Sequence, residues 1–256
     1  MSTAKSRFDD LTVRVLSAAV MILIAGLVFW LSGPVLVVSV SVLAGIIGWE
    51  ISRMFGTPNE KLVGIALGIV VAVCAVLPGI FTIPLIVAFA VVFSSQIKEK
   101  RFLAISSVVF LMLATSAFLD FSVSNPLVWL VWLIGVVVLT DVAGYFAGKL
   151  FGGPKFWPSL SPKKTWSGTI AGWVCAGFFG MIMAPVLGVS LSLAVVSVIL
   201  SFSSQLGDIG ESFVKRRTGV KDSSNLIPGH GGVWDRFDGV LGASIVVVPI
   251  MQIAGF

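Results

Sequence analysis

Eight charged side chains and the only histidine gather in VKRRTGVKDSSNLIPGHGGVWDRFDGV, Val214 to Val240, of a chain that is 57% hydrophobic. Asp235 and Asp238 stand three residues apart in WDRFDG, so they face one way if a helix starts there. Just upstream, QLGDIGESFVKRR spaces Asp208, Glu211 and Lys215 at i, i+3 and i+7, which is again one helical face. Asp141, inside the apolar stretch VVVLTDVAGYFAGKLFGG, is a fourth acid at the same kind of boundary as Asp208, Asp235 and Asp238. Clustered carboxylates in a low-dielectric setting repel one another and call for a hard cation. An oxygen-rich set suits Mg²⁺, which retains waters and shares substrate phosphates, while a single histidine argues against a His-based zinc or iron site.

Cations accompany these acids: Lys163 and Lys164 behind the Ser-Pro turn of SLSPKKTWSG, then Lys215, Arg216, Lys221 and Arg236. Acids that hold a metal, ringed by Lys and Arg, are what phosphoryl and nucleotidyl transfer require. Gly229, Gly231 and Gly232 flank His230 and allow backbone to approach a ligand closely. No GxxxxGK[ST] occurs, so ordinary P-loop chemistry is excluded. Several roles stay open on the residues alone. His230 either bonds a phosphate or holds its loop, and Asp141 either snorkels to the interface or serves the site. Glu211 either pairs with Lys215 at a solvated helix end or joins the acids, whereas Arg217 reads as a headgroup or solvent contact.

The elements that must position these groups are membrane helices. Mean hydropathy is +1.06 and 11% of residues are charged, against about 25% in soluble domains. Charge-free runs cover 15–49, 62–97, 102–119, 121–140, 165–207 and 239–256. A span needs roughly 20 apolar residues, so the three long runs hold two helices each, broken at Ser32-Gly33-Pro34, Leu77-Pro78-Gly79 and Pro185 to Gly188. The expectation is an all-α integral membrane protein of about nine spans, near 15–31, 35–50, 62–77, 81–97, 102–119, 126–147, 168–187, 190–210 and 238–256. With the N-terminus in the cytoplasm and the C-terminus opposite, all 17 Lys and Arg fall in cytoplasmic segments, as the positive-inside rule demands. The net charge of +5 is therefore mostly this topology signal plus attraction to anionic headgroups, and nothing suggests nucleic acid.

The first apolar run, preceded by Lys5, Arg7 and Arg14, lacks a clear small-x-small cleavage site and reads as a retained helix. Cys74 and Cys175, far apart and mid-helix, read as packing residues. Residues 1–125 form about five N-terminal membrane helices, whose acids, Glu50 among them, read as boundary residues. Residues 126–256 form a catalytic membrane domain of about four spans with two cytoplasmic loops, 148–167 and 211–236. The spacings Gly64/Gly68, Gly144/Gly148 and Gly168/Gly172 mark close helix packing.

Ser212 to Asp238, SFVKRRTGVKDSSNLIPGHGGVWDRFD, resembles the signature of the phosphatidate cytidylyltransferase family, also called CDP-diacylglycerol synthases. The Ser-x-x-Lys-Arg start, the Lys-Asp pair, the Pro-Gly-His-Gly-Gly turn and the Asp-Arg-x-Asp end stand at the family's spacing. TDVAGYFAGKLFG and SPKKTW also resemble family segments, so the likeness covers roughly residues 130–256. The N-terminal half agrees only in being multi-span. One departure is Ser167, where many members have Glu after the Trp.

The resemblance implies an integral membrane enzyme that joins CTP and phosphatidic acid to give CDP-diacylglycerol and pyrophosphate, by metal-assisted attack of the lipid phosphate on the CTP α-phosphate. It further implies Mg²⁺ with a second cation, a homodimer among membrane lipids, and a bacterial-type inner membrane with the active site facing the cytoplasm. Asp208, Asp235 and Asp238 match the family's acidic metal-site positions, and Asp141 stands beside them as a further metal candidate on the residues alone. Lys163, Lys164, Lys215, Arg216, Lys221 and Arg236 match its basic positions, and Ser212 and His230 go with substrate binding.

Rivals fit less well. A transporter would line a path through the midplane with its charges, not cluster them at one face. A CDP-alcohol phosphotransferase needs an Asp-Gly-x-x-Ala-Arg start, and DGVLGAS lacks the Arg. A CTP-using lipid kinase does not explain the full signature, and a scaffold has no use for boundary acids facing six cations.

Overall fold

A computed structural model describes residue 17 and residues 19–256. Lys5, Arg7, Arg14 and the start of the first helix lie outside the described residues. The helices are α1 (Ala19–Leu31), α2 (Gly33–Met54), α3 (Glu60–Val76), α4 (Thr82–Ser95), α5 (Arg101–Ser124), α6 (Leu127–Phe151), α7 (Trp166–Leu187), α8 (Leu193–Thr218) and α9 (Trp234–Ala254). Six of them, α2 and α5 to α9, are long and apolar enough to cross a membrane, and the chain is an integral membrane protein on that ground.

Each expected break lies at a helix end, with Gly33-Pro34 opening α2 and Pro185 inside the last turn of α7. Pro34 sits in the first turn of α2, where a missing N–H is no loss. Leu77-Pro78 ends α3, and a 3₁₀ turn, Gly79–Phe81, leads into α4. Gly188 closes α7 in the left-handed region with φ 68°, a conformation a Cβ would disfavour.

One element among the described residues departs from the all-α expectation. The 148–167 loop holds an antiparallel hairpin, β1 (Lys155–Trp157) and β2 (Ser161–Thr165), with Lys155 opposite Thr165 and Trp157 opposite Ser161. Strands of three and five residues are too short to print a period-two pattern. Pro162 further disguises β2, since proline is confined to edge strands. Phe156 stacks edge-on against Trp166, centroids 4.8 Å apart, and fixes the hairpin to the start of α7.

The described chain divides into two compact units. The first comprises residues up to 112 together with 218–236, and the second comprises 113–217 and 237–256. Residues 218–236 thus group with the N-terminal helices.

Within the first unit α2 and α3 meet at Gly45, Gly64 and Gly68, where a Cβ on Gly68 would stand 2.8 Å from the Ser41 carbonyl oxygen. In the second unit α6 and α7 meet at Gly144 and Gly168, and a Cβ on Gly144 would stand 3.3 Å from the Gly168 oxygen. Small residues let backbones close up where apolar burial between helices gains little in lipid. Buried polar pairs then fix α8 in the second unit. Trp132 Nε1 donates to Ser197 Oγ at 2.9 Å, Trp173 Nε1 donates to Gln205 Oε1 at 2.9 Å, and Thr140 Oγ1 lies 2.7 Å from Ser201 Oγ.

Candidate functional site

The last turns of α8 present Asp208, Glu211 and Lys215 on one face, as their spacing requires. In the second unit one carboxylate oxygen each from Asp208, Glu211 and Asp238 lie within 4.8 Å of one another. Two lysines answer them. Lys164 Nζ from β2 is 2.5 Å from Asp208 Oδ2, and Lys215 Nζ is 2.5 Å from Glu211 Oε2. Ser212 Oγ points at Asp208 Oδ1 from 3.4 Å, a long contact, and Asp238 Oδ1 accepts from the Gly239 amide at 2.8 Å. Asp141 and Asp208 add like charge around Asp238, and Lys164 opposes it. Asp141 itself is exposed on α6.

The hairpin separates two neighbours that looked equivalent. Successive strand residues point to opposite sides, so Lys164 reaches the acids while Lys163 is exposed. The base of β2 is tied down by Thr165, whose Oγ1 caps α7 by accepting from Gly168 N at 3.2 Å. Ser167 Oγ donates to the Gly152 carbonyl at 2.5 Å and lies 3.0 Å from Thr165 Oγ1. The residue that departs from the family's Glu therefore links the end of α6 to the cap of α7.

Glycines set the distance between the acids of α8 and Asp238. Gly207 and Gly242 face each other, and a Cβ on Gly207 would be 3.0 Å from Gly242 Cα and nearer still to the Asp238 carbonyl oxygen. No side chain other than hydrogen fits there.

Residues 218–236 of the signature belong to the first unit. Asp235 Oδ2 accepts from Ser223 N, Ser223 Oγ and Gly232 N, each at 2.8 Å. Gly229 and Gly231 take positive φ, 76° and 84°. They let the loop double back so that the Ile227 amide donates to the Gly231 carbonyl at 2.8 Å. His230 Nδ1 lies 2.8 Å from Ser17 Oγ, so in this structure the ring ties its loop to Ser17. Lys221, Asp222 and Arg236 are exposed in the first unit, as is Arg216 in the second. Arg217 stacks over Phe213 at 5.2 Å.

One residue that sequence reasoning treated as a boundary acid is central here. Glu50 of α2 is fully buried and accepts four hydrogen bonds from the signature loop. Its only sequence signal was its position closing the charge-free run 15–49, three residues before Arg53, which is also where a boundary residue belongs.

Chemically, the second unit offers an all-oxygen donor set with lysines beside it. That fits Mg²⁺, a hard cation that keeps waters and is held by few carboxylates, and it suits reactions on phosphates. Asp208, Glu211 and Asp238 are close enough together that they could hold one ion.

Comparison with known proteins shows the family. A family model described as "Cytidylyltransferase family" matches residues 12–254. The chain is 46% identical over 120 residues to a phosphatidate cytidylyltransferase of Brucella suis biovar 1 (strain 1330), covering 46% of this chain and 44% of that one. It is 41% identical over 133 residues to a phosphatidate cytidylyltransferase of Staphylococcus haemolyticus (strain JCSC1435), covering 51% of this chain and 50% of that one. The chain thus spans about half the length of the curated relatives it matches.

Proposed function

The chain belongs to the cytidylyltransferase family, and on that premise we propose that it joins CTP and phosphatidic acid, giving CDP-diacylglycerol and pyrophosphate. The observation that carries the reading is the trio Asp208, Glu211 and Asp238 with Lys164 and Lys215 paired to it. A phosphate oxygen of the lipid forms a bond to the α-phosphorus of CTP. The bond from that phosphorus to the bridging oxygen breaks, and pyrophosphate leaves with the electron pair. The attacking oxygen is already an anion, so the enzyme needs no strong general base; it must bring two polyanions together in line.

Asp208, Asp235 and Asp238, with Glu211 and Asp141 in support, would hold Mg²⁺, which would supply charge neutralisation at the CTP phosphates; a second cation would share that task. Lys163 and Lys164 neutralise the leaving pyrophosphate. Lys215, Arg216, Lys221 and Arg236 hold substrate phosphates, with Ser212 and His230 as hydrogen-bonding partners. The acyl tails stay in the bilayer through a lateral opening. The protein works as a homodimer of nine-span chains in a bacterial-type inner membrane, N-terminus and catalytic loops cytoplasmic, C-terminus opposite. The charge distribution of the sequence supports this orientation.

The test is incorporation of CTP labelled at the α-phosphate into chloroform-extractable lipid by the detergent-solubilised protein, given phosphatidic acid, with and without Mg²⁺. Metal-dependent label in lipid with pyrophosphate released one for one is expected. Transfer of only the γ-phosphate would instead identify a CTP-dependent lipid kinase. No lipid product from folded protein under several lipid and metal conditions would return the transporter reading.

A further inference from the structure

Glu50 lies in the last turns of α2 with 0% exposure. Its Oε1 accepts from Ser224 Oγ at 2.6 Å and from Val233 N at 2.8 Å. Its Oε2 accepts from Trp234 N at 2.8 Å and from Ser223 Oγ at 3.1 Å. Among the described residues no lysine or arginine pairs with it. A buried carboxylate without a cation is tolerated only when hydrogen bonds replace the lost water, and here four donors do so. Two of them are amides at the N-terminus of α9, where the helix dipole also favours an anion. With donors on both oxygens, this carboxylate is a receptor for the loop and not a metal ligand.

The donors come from the two ends of one segment, Ser223-Ser224 and Val233-Trp234, so a single side chain closes the loop into a ring. Asp235 closes it a second time through Ser223 and Gly232. Ser223 Oγ stands between the two acids and has one proton to give, which couples them. Gly232 fits only because it has no side chain: a Cβ there would overlap Ser223 Oγ and Glu50 Oε1 and lie 2.8 Å from Ser224 N.

We infer that Glu50 is a positioning residue: it ties residues 223–234 and the start of α9 into one arrangement, and so fixes where Asp235 and Arg236 stand. The catalytic consequence rests on the proposed cytidylyl transfer; the ring itself does not. Glu50→Gln keeps the shape but turns an NH₂ toward a donor. Ser224→Ala removes one donor to Glu50, together with the acceptor of the Leu226 amide, and leaves the acid in place, which covers the case in which Glu50→Gln fails to fold.

The experiment is hydrogen exchange on the full-length protein in detergent, alongside the transfer assay, for both variants and their double. Exchange across 219–236 should rise about tenfold in Glu50→Gln, with residues 193–215 unchanged. kcat should fall about 100-fold. Ser224→Ala should move both readouts the same way by less, and the double should be no worse than Glu50→Gln alone. Loop exchange within about twofold of wild type, a rise spread evenly over both units, or additive single effects would overturn the inference. If the wild type shows no transfer, the proposed function fails while the exchange arm still decides the role of Glu50.

Discussion

Replacing Gly207 by Ala tests whether backbone contact between α8 and α9 sets the spacing of the acids. A Cβ on Gly207 would lie 3.0 Å from Gly242 Cα, whereas unstrained carbon pairs sit at about 3.5–4.0 Å. The helices must therefore part by roughly 0.5–1 Å, and more where the new methyl meets the Asp238 carbonyl. Asp208 follows Gly207 directly and Asp238 supplies the carbonyl it would strike, so the displacement falls on two of the three carboxylates of the trio. A misplacement of about 1 Å costs about 100-fold in rate, or about 2.7 kcal/mol of transition-state stabilisation.

Overpacking also costs about 1–3 kcal/mol of stability, so the thermal midpoint must be measured in parallel. Gly210→Ala is the control. It lies in the same helix, its Cβ would meet open space, and in a helix Ala is favoured over Gly by about 0.5–1 kcal/mol. The assay is label transfer from CTP to lipid at saturating phosphatidic acid. If Gly207→Ala retained activity within about threefold of Gly210→Ala, the claim that this contact spaces the acids would be refuted.

Lys164→Ala should lower kcat/KM by about 10–100-fold, the worth of a charged hydrogen bond. Lys163→Ala should do less, because its side chain is exposed on the other side of β2; equal losses in a side-by-side assay would contradict the assigned geometry. Chelation should abolish transfer and Mg²⁺ should restore it better than Zn²⁺, because the donors are all carboxylate oxygens; a preference for zinc in metal-titrated activity would count against that donor set. Ser197→Ala should destabilise the second unit by about 1–2 kcal/mol by stranding the indole N–H of Trp132, and unfolding of the purified protein in mixed micelles would report it.

Much of the scaffold was legible in the sequence because bilayer physics writes itself in composition. Charge-free runs gave the helices, and Pro and Gly clusters gave their breaks to within a few residues. The acid face of α8 was legible because i, i+3 and i+7 can only be one face of a helix. What escaped notice depends on tertiary partners. Glu50 and Trp234 are 184 residues apart, and no local pattern distinguishes an acid that caps a distant helix from one that marks a membrane boundary. Lys163 and Lys164 looked alike because a five-residue strand carries no readable alternation. The engagement of Asp235 with Ser223 and Gly232 likewise needs the fold, since Asp235 reads from sequence as one more metal-type acid.

The same device recurs in both units, and the chemistry explains why. Carboxylates meant for a metal and phosphates cannot be held by packing apolar groups around them, because desolvation would oppose the charge they must carry. Their placement has to come from what lies behind them. In the second unit this is the meeting of Gly207 with Gly242 and Asp238, whose closeness leaves no space for a Cβ. In the first it is Gly232, seated against Ser223 and the buried Glu50. Both contacts join backbone to backbone or backbone to a saturated acceptor, and neither depends on the rotamer of a long side chain. Substitution of these glycines should therefore approach the severity of removing the acids, whereas the exposed cations Lys163, Lys221 and Arg236 should show graded losses, because flexible charges on the surface can partly replace one another.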